Sequence, residues 1–552
     1  TRQHRAEIGA KNEALAEAQA QRAKLEENFT NKSAAKSAVK KVVVKNAGGA
    51  VDEDSELVEE GHIYVKAGDT YNATLNLADV TTGQNSYYIL QIIEHDKKAQ
   101  WSCFRKWGKV GDESIGATKI THYPMAEAAV REFKKVFFDK TGNAWDSRKS
   151  FKKVYGKFTM IDIDYTASET ADPAAAAAAA SATEYKGPLD RATRDFVSLI
   201  FDMKVMSDAL KELEIDTEKM PLGKLSKATI QKGFAALSEL QKVFEADADA
   251  VTNNKPRVVS LTNQFYSYIP HSAPVGKALP LIDSLESVKK KTELLTALSE
   301  MEVASKLMAQ AGAEAAEGGE HPIDANYSKL KTELKGVERG TELWNRINDF
   351  LQNTHGATHT TYSLELVDLL EMNHEGDDAK FAPYAQDPNR MLLWHGSRLT
   401  NWVGIISQGL RIAPPEAPST GYMFGKGAYF ADMSSKSANY CFTTSEKTTG
   451  ILMLCEVALG NMKERKSAFF ETNIPNKTHQ STFGMGRNHP DPAGAFHEDS
   501  GCVIPMGKGT ASGVKDTTLL YNEFIVYKVE QVKPRYLLRL NFKYKQKAGT
   551  FF

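Results

Sequence analysis

A run of seven consecutive alanines, which follows Asp172-Pro173, divides this chain of 552 residues into parts with different hydrophobic patterns. The run carries no large apolar side chain that could anchor it to a core, so it predicts a linker, extended or transiently helical, over residues 166–186. Before the linker apolar residues form strand-like segments, and after it they recur every three or four residues as in helices. Together with the length, this change predicts three or four domains.

The composition is typical of a soluble protein, with 41% hydrophobic and 25% charged residues. No apolar run approaches the roughly 20 residues that cross a bilayer, and nothing near Thr1 resembles a signal peptide, so we expect no membrane association. Because residue 1 is not Met, we also expect that an extreme N-terminal segment is missing. The cysteines show no CxxC or Cys/His spacing, which argues against disulfides and zinc and favours a reducing compartment: Cys103, Cys441, Cys455 and Cys502.

The net charge of −1 conceals local asymmetry. Residues 1–50 are rich in Ala, Glu and Lys, with five lysines and no acid between Lys32 and Lys45, and they predict a mostly disordered basic arm. Residues 101–160 carry thirteen Lys and Arg against six Asp and Glu. A basic arm beside a basic folded block indicates a polyanion partner, although solvated surface charge is the simpler explanation without a motif.

The segment 60–165 predicts a small β-rich domain. Aromatic and β-branched stretches separated by Gly, Asp and Asn are typical of strands, as at 62–65, 87–93 and 101–107. A helix is predicted over 125–138, where apolar residues are spaced by three and four.

The segment 187–313 predicts an all-α bundle. Pro188 suits the first position of a helix, and further amphipathic helices are predicted over 226–244, 256–268 and 278–308. The bundle offers few candidate catalytic groups, so alone it predicts an interaction or structural module.

The segment 321–552 alternates strands and short helices, as an α+β domain does, with a helix predicted over 363–372. Within it the stretch 392–440 concentrates polar and aromatic groups. An apolar run ends in Trp394-His395-Gly396-Ser397, which predicts a buried strand that leads to a polar turn. Glycines then surround aromatic residues between 421 and 429, where the backbone can approach a ligand closely. This layout indicates a small-molecule site.

Common nucleotide-binding motifs are absent, since the glycines around Lys426 match neither a dinucleotide-binding turn nor a P-loop. A second polar group, Glu523, interrupts the strand-like apolar segment 519–527. A buried carboxylate requires a partner or a task. Strand alternation alone leaves open that Glu523 lies on a solvated face.

The run Trp107-Gly108-Lys109-Val110-Gly111, with Lys140 to Trp145 downstream, resembles a WGR domain. The resemblance implies that this turn binds a DNA end, with Trp107 as a stacking platform and Arg105, Lys106 and Lys109 as phosphate ligands. Lys109 stands where the family has arginine, which preserves the charge but not the bidentate guanidinium group. Weaker communication between this domain and the helical domain is therefore a hypothesis.

The stretches 394–440 and 509–527, the string from Lys219 to Ser226 and the domain order resemble the DNA-dependent poly(ADP-ribose) polymerases, in their short form without zinc fingers. The resemblance implies an α+β ADP-ribosyltransferase domain built on antiparallel sheets and a regulatory bundle that caps it at rest. It also places the family's catalytic triad on His395, Tyr429 and Glu523.

The same resemblance implies that NAD⁺ is the substrate and that no metal takes part. Glu523 would stabilise an oxocarbenium-like state, as carboxylates do in glycoside cleavage. Lys436 would bind the growing polymer. The implied NAD⁺ contacts are His395, Gly396, Ser397, Gly404, Arg411, Tyr422, Tyr429, Ser437 and Tyr440.

We therefore expect a nuclear enzyme that builds poly(ADP-ribose) on acceptor proteins such as histones and itself. We expect DNA strand breaks with 5′-phosphate ends to activate this enzyme. Two alternatives stay open. One is a transferase that adds single ADP-ribose units, and the other is a DNA-end-binding scaffold without turnover.

Overall fold

The computed structural model describes residues 49–163, 185–202, 204–206, 208, 225–273, 277–414, 416–419, 422–470 and 473–545. The basic arm predicted over 1–50 and the linker predicted over 166–186 lie almost wholly outside these residues, so both stay predictions. The described residues form a β-rich part, a helical part and an α+β part, in that order along the chain.

The β-rich part is one twisted sheet covered by one helix. The sheet order is β7-β6-β5-β4-β8, with β1 also paired to β5, and β2 and β3 form a separate ribbon. Phe133, Phe137 and Trp145 are fully buried against the sheet. The elements are β1 Gly61–Ile63, β2 Val65–Lys66, β3 Asp69–Thr70, β4 Asn72–Asp79, β5 Gln84–His95, β6 Trp101–Lys109, β7 Asp112–Tyr123, helix α1 Ala126–Thr141 and β8 Thr159–Ile161.

The helical part packs against both of its neighbours. Its core includes Val110 and Tyr87 of the β-rich part together with Leu237 and Phe265, so the two parts share buried apolar surface. The helices are α2 Arg191–Ile200, α3 Lys227–Ala246, α4 Ala250–Asn253, α5 Lys255–Tyr268, α6 Leu285–Gly318 and α7 Pro322–Lys329.

Two mainly antiparallel sheets build the α+β part. One has the order β17-β18-β11-β13-β21-β10-β9 and the other β12-β20-β15-β14, and β11/β18 and β14/β15 pair in parallel. Leu393, Met453 and Phe524 are buried between the elements. The strands are β9 Thr332–Gly336, β10 Tyr362–His374, β11 Arg390–Ser397, β12 Ala428–Phe430, β13 Thr449–Ala458, β14 Met462–Arg465, β15 Ser481–Gly484, β16 Asn488–Pro490, β17 Phe496–His497, β18 Val503–Ile504, β19 Gly509–Ala511, β20 Glu523–Val526 and β21 Val532–Tyr544.

Four helices complete this part: α8 Glu342–Asn353, α9 Asp377–Phe381, α10 Trp402–Gln408 and α11 Ser434–Ala438. The fold class expected from the sequence is therefore confirmed, namely a small β-rich domain, an all-α bundle and an α+β domain with largely antiparallel sheets.

Three local predictions were wrong. Residues 363–372 form the central part of strand β10 rather than a helix, because the segment pairs with β21, where Leu364 and Leu366 lie opposite Phe542 and Leu540, and its last residues also pair with β9. The helix expected near Pro188 begins at Arg191, where the side chain of Asp190 caps it. The helix expected from residue 278 begins at Leu285, after an N-cap at Ser284.

Candidate active site

Two sheets meet at one point and bring the predicted triad together. Trp394 of β11 and Ala431, which follows β12, exchange two backbone hydrogen bonds of 2.8 and 3.0 Å. Strand β12 then pairs with β20, with Tyr429 opposite Ile525. His395, Tyr429 and Glu523 consequently come from three strands that are joined edge to edge.

His395 is held as a neutral imidazole. Its Nδ1 lies 3.0 Å from the carbonyl oxygen of Tyr429, and since a carbonyl can only accept, Nδ1 carries the proton. Burial lowers the pKa of His395, and the hydrogen bond to the carbonyl opposes that effect only in part. The Nε2 lone pair is thereby oriented to accept a hydrogen bond from a ligand hydroxyl.

The Tyr429 hydroxyl fixes the glycine-rich loop. It donates to the carbonyl of Gly425 at 2.7 Å and accepts from the N–H of Phe424 at 3.0 Å. The ring of Tyr422 stands 5.9 Å from that of Tyr429, centroid to centroid. Burial raises the pKa of Tyr429 far above its usual value, so this hydroxyl stays protonated. The loop and its two aromatic rings therefore form one wall of the pocket.

Glu523 does not lie on a solvated face, which resolves the question that strand alternation left open. Its carboxylate accepts a hydrogen bond of 2.6 Å from Lys436 Nζ, and the two side chains are only 13% and 16% exposed. Lys436 also donates to the carbonyls of Tyr521 and Asn522, both at 3.1 Å. Burial lowers the pKa of Lys436, while attraction to Glu523 opposes the shift.

Two polar residues that the sequence did not single out support this pair. Asn522 donates from Nδ2 to Asp432 Oδ2 at 2.7 Å and accepts at Oδ1 from the N–H of Gly486 at 2.8 Å. Asp432 is 3% exposed, and burial raises its pKa to about 6, with the Asn522 bond and the charge of Lys436 opposing the rise. An acid directly after strand β12 was the available sequence signal for Asp432.

The approach of helix α11 to strand β11 requires Gly396. A Cβ at this position would lie 2.0 Å from the carbonyl oxygen of Ser437, so helix α11 can approach only a glycine. Ser437 is buried and donates to the carbonyl of Trp394 at 2.9 Å. Tyr440 follows helix α11 and is 53% exposed. The predicted contacts Gly396, Ser437 and Tyr440 therefore lie together, next to His395.

Helix α6 of the helical part contacts two of the remaining predicted residues, Gly404 and Arg411. Glu300 forms an ion pair with Arg411, and a Cβ at Gly404 would lie 1.9 Å from Glu300 Oε2. Burial raises the pKa of Glu300, while Arg411 opposes the rise. Ser397 accepts a hydrogen bond of 2.9 Å from Asn401. Gly404 and one guanidinium nitrogen of Arg411 are thus engaged by α6, while the Arg411 side chain is 39% exposed.

Further contacts join the helical part to the same region. Glu293 of α6 lies 3.5 Å from Arg398, whose guanidinium also stacks on Phe442 at 3.6 Å. From helix α3, Gln241 accepts a hydrogen bond of 2.6 Å from the backbone N–H of Ser419. The helical part therefore touches the pocket at several points.

The four residues predicted to bind DNA have different surroundings. Trp107 stacks on Tyr88 with centroids 5.8 Å apart and an interplanar angle of 11°. Arg105 pairs with Glu132, and Lys106 lies 3.1 Å from Asp52 and 2.8 Å from Asp54. Lys109 ends strand β6 and is partly exposed. DNA binding by Arg105 and Lys106 would require exchange of these ion pairs, and it stays a prediction.

The turn that follows Lys109 touches the helical part directly. Gly111 has φ +80°, and a Cβ there would lie 2.9 Å from the side chain of Ser272. Nearby, Asn85 donates to the carbonyl of His271 at 2.8 Å. Lys153 donates to the hydroxyl of Ser267 at 2.7 Å. The predicted DNA-binding turn and the helices are therefore in direct contact.

Among the residues that the structure describes, no group of three or more His, Cys, Asp or Glu side chains is arranged to hold a metal ion. In the same residues, no helix combines the length and the apolar character needed to cross a membrane.

This architecture matches three family models in chain order. They are "WGR domain" over residues 71–152, "Poly(ADP-ribose) polymerase, regulatory domain" over 188–327 and "Poly(ADP-ribose) polymerase catalytic domain" over 341–542. Fold and site thus define a class of protein in which a WGR domain and a regulatory bundle precede a poly(ADP-ribose) polymerase catalytic domain.

Similar proteins agree with this class. The chain is 45% identical over 521 residues to poly [ADP-ribose] polymerase 1 of Xenopus laevis, covering 94% of this chain and 50% of that protein. It is 45% identical over 505 residues to poly [ADP-ribose] polymerase 1 of Gallus gallus, covering 92% and 48%. It is 40% identical over 487 residues to poly [ADP-ribose] polymerase 2-A of Oryza sativa, covering 88% and 72%. The chain belongs to the poly(ADP-ribose) polymerase family, and it spans about half the length of the vertebrate relatives.

Proposed function

We propose that this chain is an NAD⁺-dependent ADP-ribosyltransferase that builds poly(ADP-ribose) on acceptor proteins when DNA breaks activate it. The observation that carries the proposal is the buried Glu523–Lys436 pair beside His395 and Tyr429. A largely buried carboxylate that an ammonium fixes in position at 2.6 Å is suited to a reaction in which positive charge develops next to the carboxylate.

The proposed roles follow from the atoms that each residue leaves available. His395 accepts from a ribose hydroxyl through Nε2. The backbone of Gly396 and the hydroxyl of Ser437 bind the nicotinamide amide, and the rings of Tyr429 and Tyr440 enclose the nicotinamide by flat apolar contact. Ser397, Gly404, Arg411 and Tyr422 bind the remainder of NAD⁺.

Glu523 performs the central task. Cleavage at the nicotinamide ribose passes through an oxocarbenium-like state, which a nearby carboxylate stabilises. Glu523 also orients the acceptor hydroxyl, and Lys436 both holds the carboxylate and contacts the acceptor chain. No metal is required for these steps, since the leaving nicotinamide already carries a positive charge in the substrate.

We propose that DNA acts on the cover formed by helix α6. As long as Glu300 holds Arg411, the binding of NAD⁺ competes with an ion pair that the protein has already made. A DNA end bound at Trp107 and Lys109 would press on the Gly111–Ser272 contact and favour an arrangement in which α6 moves away. The proposed partners are breaks with 5′-phosphate ends, the proposed acceptors are histones and the chain itself, and the proposed compartment is the nucleus.

The test is NAD⁺ consumption by the purified chain, with and without a nicked duplex that carries a 5′-phosphate. We expect strong stimulation by DNA and long polymer on a gel. Glu523→Gln should lower turnover by about 10²- to 10³-fold, because the charge that stabilises the transition state is lost. Glu530→Gln, an exposed acid on the same segment, is the matched control and should leave turnover unchanged.

Each alternative has its own outcome. Turnover that yields only single ADP-ribose units would replace polymer synthesis with mono-ADP-ribosylation. DNA binding without any NAD⁺ consumption would indicate that the chain is a scaffold protein rather than an enzyme. Turnover that ignores DNA would preserve the transferase and contradict the proposed action on α6.

A further inference from the structure

The segment between helix α1 and strand β8 presents apolar side chains to solvent. Tyr155 is 91% exposed, Val154 is 38% exposed, and Phe138 in the last turn of α1 is 55% exposed. Most other large apolar side chains of the β-rich part are buried. Single exposed apolar residues are common on proteins, whereas a contiguous group of them marks an interaction surface.

Hydrogen bonds and close packing hold this group together. The N–H of Gly142 donates to the carbonyl of Phe138 at 2.7 Å, and a Cβ at Gly142 would lie 3.1 Å from Val154. Lys157 donates from Nζ to the carbonyl of Asp139 at 2.8 Å, and its N–H donates to the carbonyl of Val154 at 3.1 Å. The loop therefore lies over the last turn of α1, so the exposed apolar side chains belong to one surface.

The same surface is rich in cations. From residue 131 to 157 the chain carries nine Lys and Arg residues against three Asp and Glu residues. Lys135 lies one helical turn before Phe138, and Lys152 lies two residues before Val154; both are exposed, and neither forms an ion pair within the described part of the chain. Two hydrogen bonds of 2.8 and 3.0 Å between the Asn143 side chain and the main chain of Lys152 fix the loop. We call the following residues the aromatic–lysine patch: Lys135, Phe138, Lys152, Val154, Tyr155 and Lys157.

Aromatic contacts connect the patch with the proposed DNA-binding turn. The ring of Tyr88, on which Trp107 stacks, also lies under the ammonium of Lys140, which is 4.7 Å from the ring centroid. The ring of Phe158 meets that of Tyr88 edge to face, with centroids 6.0 Å apart. The N–H of Phe158 donates to the carbonyl of Lys140 at 3.0 Å. A row of side chains thus leads from Trp107 to the loop that carries the patch.

We propose that the aromatic–lysine patch binds single-stranded DNA that leaves a break, next to the DNA end at Trp107. The inference rests on the proposed function and adds a second contact to the break that the turn binds. In a duplex the bases stack on one another, whereas the unstacked bases of a single strand can stack on Tyr155 and Phe138. The lysines of the patch contact the phosphates of the same strand.

Charge and position favour a DNA strand over other occupants. A cationic protein such as a histone would be repelled by the lysines of the patch. An ADP-ribose chain carries bases and phosphates as well, but it does not begin at the DNA-binding turn. A strand that starts at an end held by Trp107 follows the row of side chains to the patch. The chain should therefore bind gaps and overhangs more tightly than blunt ends.

The experiment compares two DNA probes that differ only in a single-stranded extension. The blunt probe is a duplex with a 5′-phosphate, and the extended probe adds about ten thymidines to the 3′ strand. We expect the wild type to bind the extended probe about tenfold more tightly, and we expect Phe138→Ala with Tyr155→Ala to abolish this advantage. Unchanged affinity of this variant for the blunt probe shows that it is folded. Met125→Ala, which removes an exposed side chain at the other end of α1, is the control and should behave as the wild type.

The salt dependence of binding tests the lysines. Lys135→Gln with Lys152→Gln should weaken binding of the extended probe about three- to fivefold, with the blunt probe unaffected. For the extended probe, the slope of log Kd against log salt should fall by about 1.4, since each phosphate contact on a single strand contributes about 0.7. Lys97→Gln with Lys98→Gln, which changes two exposed lysines in the turn before β6, is the matched control.

The remaining outcomes separate this inference from its alternatives. Equal wild-type affinity for both probes, or an equal loss on both probes in the aromatic variant, would overturn the inference, although binding of the blunt probe would still support the proposed function. Tighter binding of a purified ADP-ribose oligomer than of a thymidine strand of equal length, lost in the aromatic variant, would assign the patch to the polymer instead. Self-association of the wild type that this variant loses in sedimentation would assign the patch to a second copy of the chain. Failure of the wild type to bind either probe would overturn the proposed activation by DNA, and the inference with it.

Discussion

The two sides of the candidate active site differ in what their side chains contact. On the Glu523 side every contact lies within the catalytic domain: Lys436 holds the carboxylate and two carbonyls, and Asp432 holds Asn522. On the Arg411 side the main partner is Glu300 from helix α6, which belongs to another domain. One side is assembled by its own fold, and the other is occupied by a neighbour.

This difference indicates where regulation acts. A group that already has its working partners gains nothing from a movement of α6, whereas Nη2 of Arg411 becomes available to a ligand only after Glu300 has left. Displacement of α6 should therefore change the affinity for NAD⁺ more than it changes the chemical step. In kinetic terms, the Arg411 side should govern KM and the Glu523 side should govern kcat.

Among the tests of this difference between the two sides, the largest expected effect comes from Lys436→Gln. Because Lys436 fixes the Glu523 carboxylate, its loss should lower kcat by about 10²-fold and leave the KM for NAD⁺ nearly unchanged. Steady-state kinetics with saturating DNA measure both constants. Lys528→Gln, an exposed lysine shortly after the end of strand β20, is the control. A raised KM with an unchanged kcat would show that Lys436 acts in substrate binding, and it would contradict the proposed difference between the two sides.

The second effect concerns Glu300→Gln. Removal of this charge should release Arg411, so turnover without DNA should rise by about tenfold and the KM for NAD⁺ should fall. Glu302→Gln is a close match, because Glu302 lies on the same helix and is 10% exposed, against 11% for Glu300. An unchanged KM would mean that the Glu300–Arg411 pair does not compete with substrate.

The candidate site was largely predictable from sequence because its residues are contiguous. The stretch from Trp394 to Tyr440 carries most of the predicted contacts on strands β11 and β12, helices α10 and α11 and the loops between them, so local motifs sufficed. Glu523 stood out as a carboxylate in an apolar segment, but its burial depended on pairing between β20, β12 and β15, which alternation along one strand cannot reveal.

What the sequence could not provide were contacts between distant segments. Glu300 lies on a helix that looked purely structural, and its role arises from the approach of α6 to Gly404. Strand β10 was mistaken for a helix because Leu366, Leu369 and Leu370 recur at the three- and four-residue spacing of a helix, and a bulge between Leu366 and Asp368 interrupts the strand alternation. Arg105 and Lys106 looked open to phosphate until their acidic partners Glu132, Asp52 and Asp54 were located.

The third prediction tests the buried carboxyl on the Glu523 side through pH. The pKa of Asp432 is about 6 in the fold, above its ordinary 3.8, so between these values the folded state binds more protons than the unfolded state. Stability from this group is thus fully present at low pH and is lost as the pH rises through about 6. The variant Asp432→Asn keeps an oxygen that accepts the hydrogen bond from Asn522. Because it has no titratable carboxyl, it does not lose stability as the pH rises.

We therefore expect the difference in Tm, variant minus wild type, to increase by about 3 °C from pH 5 to pH 7. Thermal unfolding at both pH values measures it, and Asp499→Asn, an exposed acid, is the control with a constant difference. If the Tm difference for the Asp432 variant is also the same at both pH values, the Asp432 carboxyl is not isolated from solvent. The Glu523 side would then not be held by buried contacts of its own domain.

The smallest effect concerns the path from the DNA-binding domain to the Arg411 side. Asn85 is buried and bonds the carbonyl of His271, next to the Gly111–Ser272 contact. A neutral hydrogen bond of this kind contributes about 1 kcal/mol, so Asn85→Ala should lower the stimulation of turnover by DNA about three- to fivefold, with DNA affinity intact. Gln84→Ala, exposed and adjacent, is the control.

Because the signal must reach α6, the reduced stimulation by DNA should appear as a higher KM for NAD⁺ in the presence of DNA. A fall in kcat alone would mean that DNA reaches the Glu523 side, and the division between the two sides would then fail.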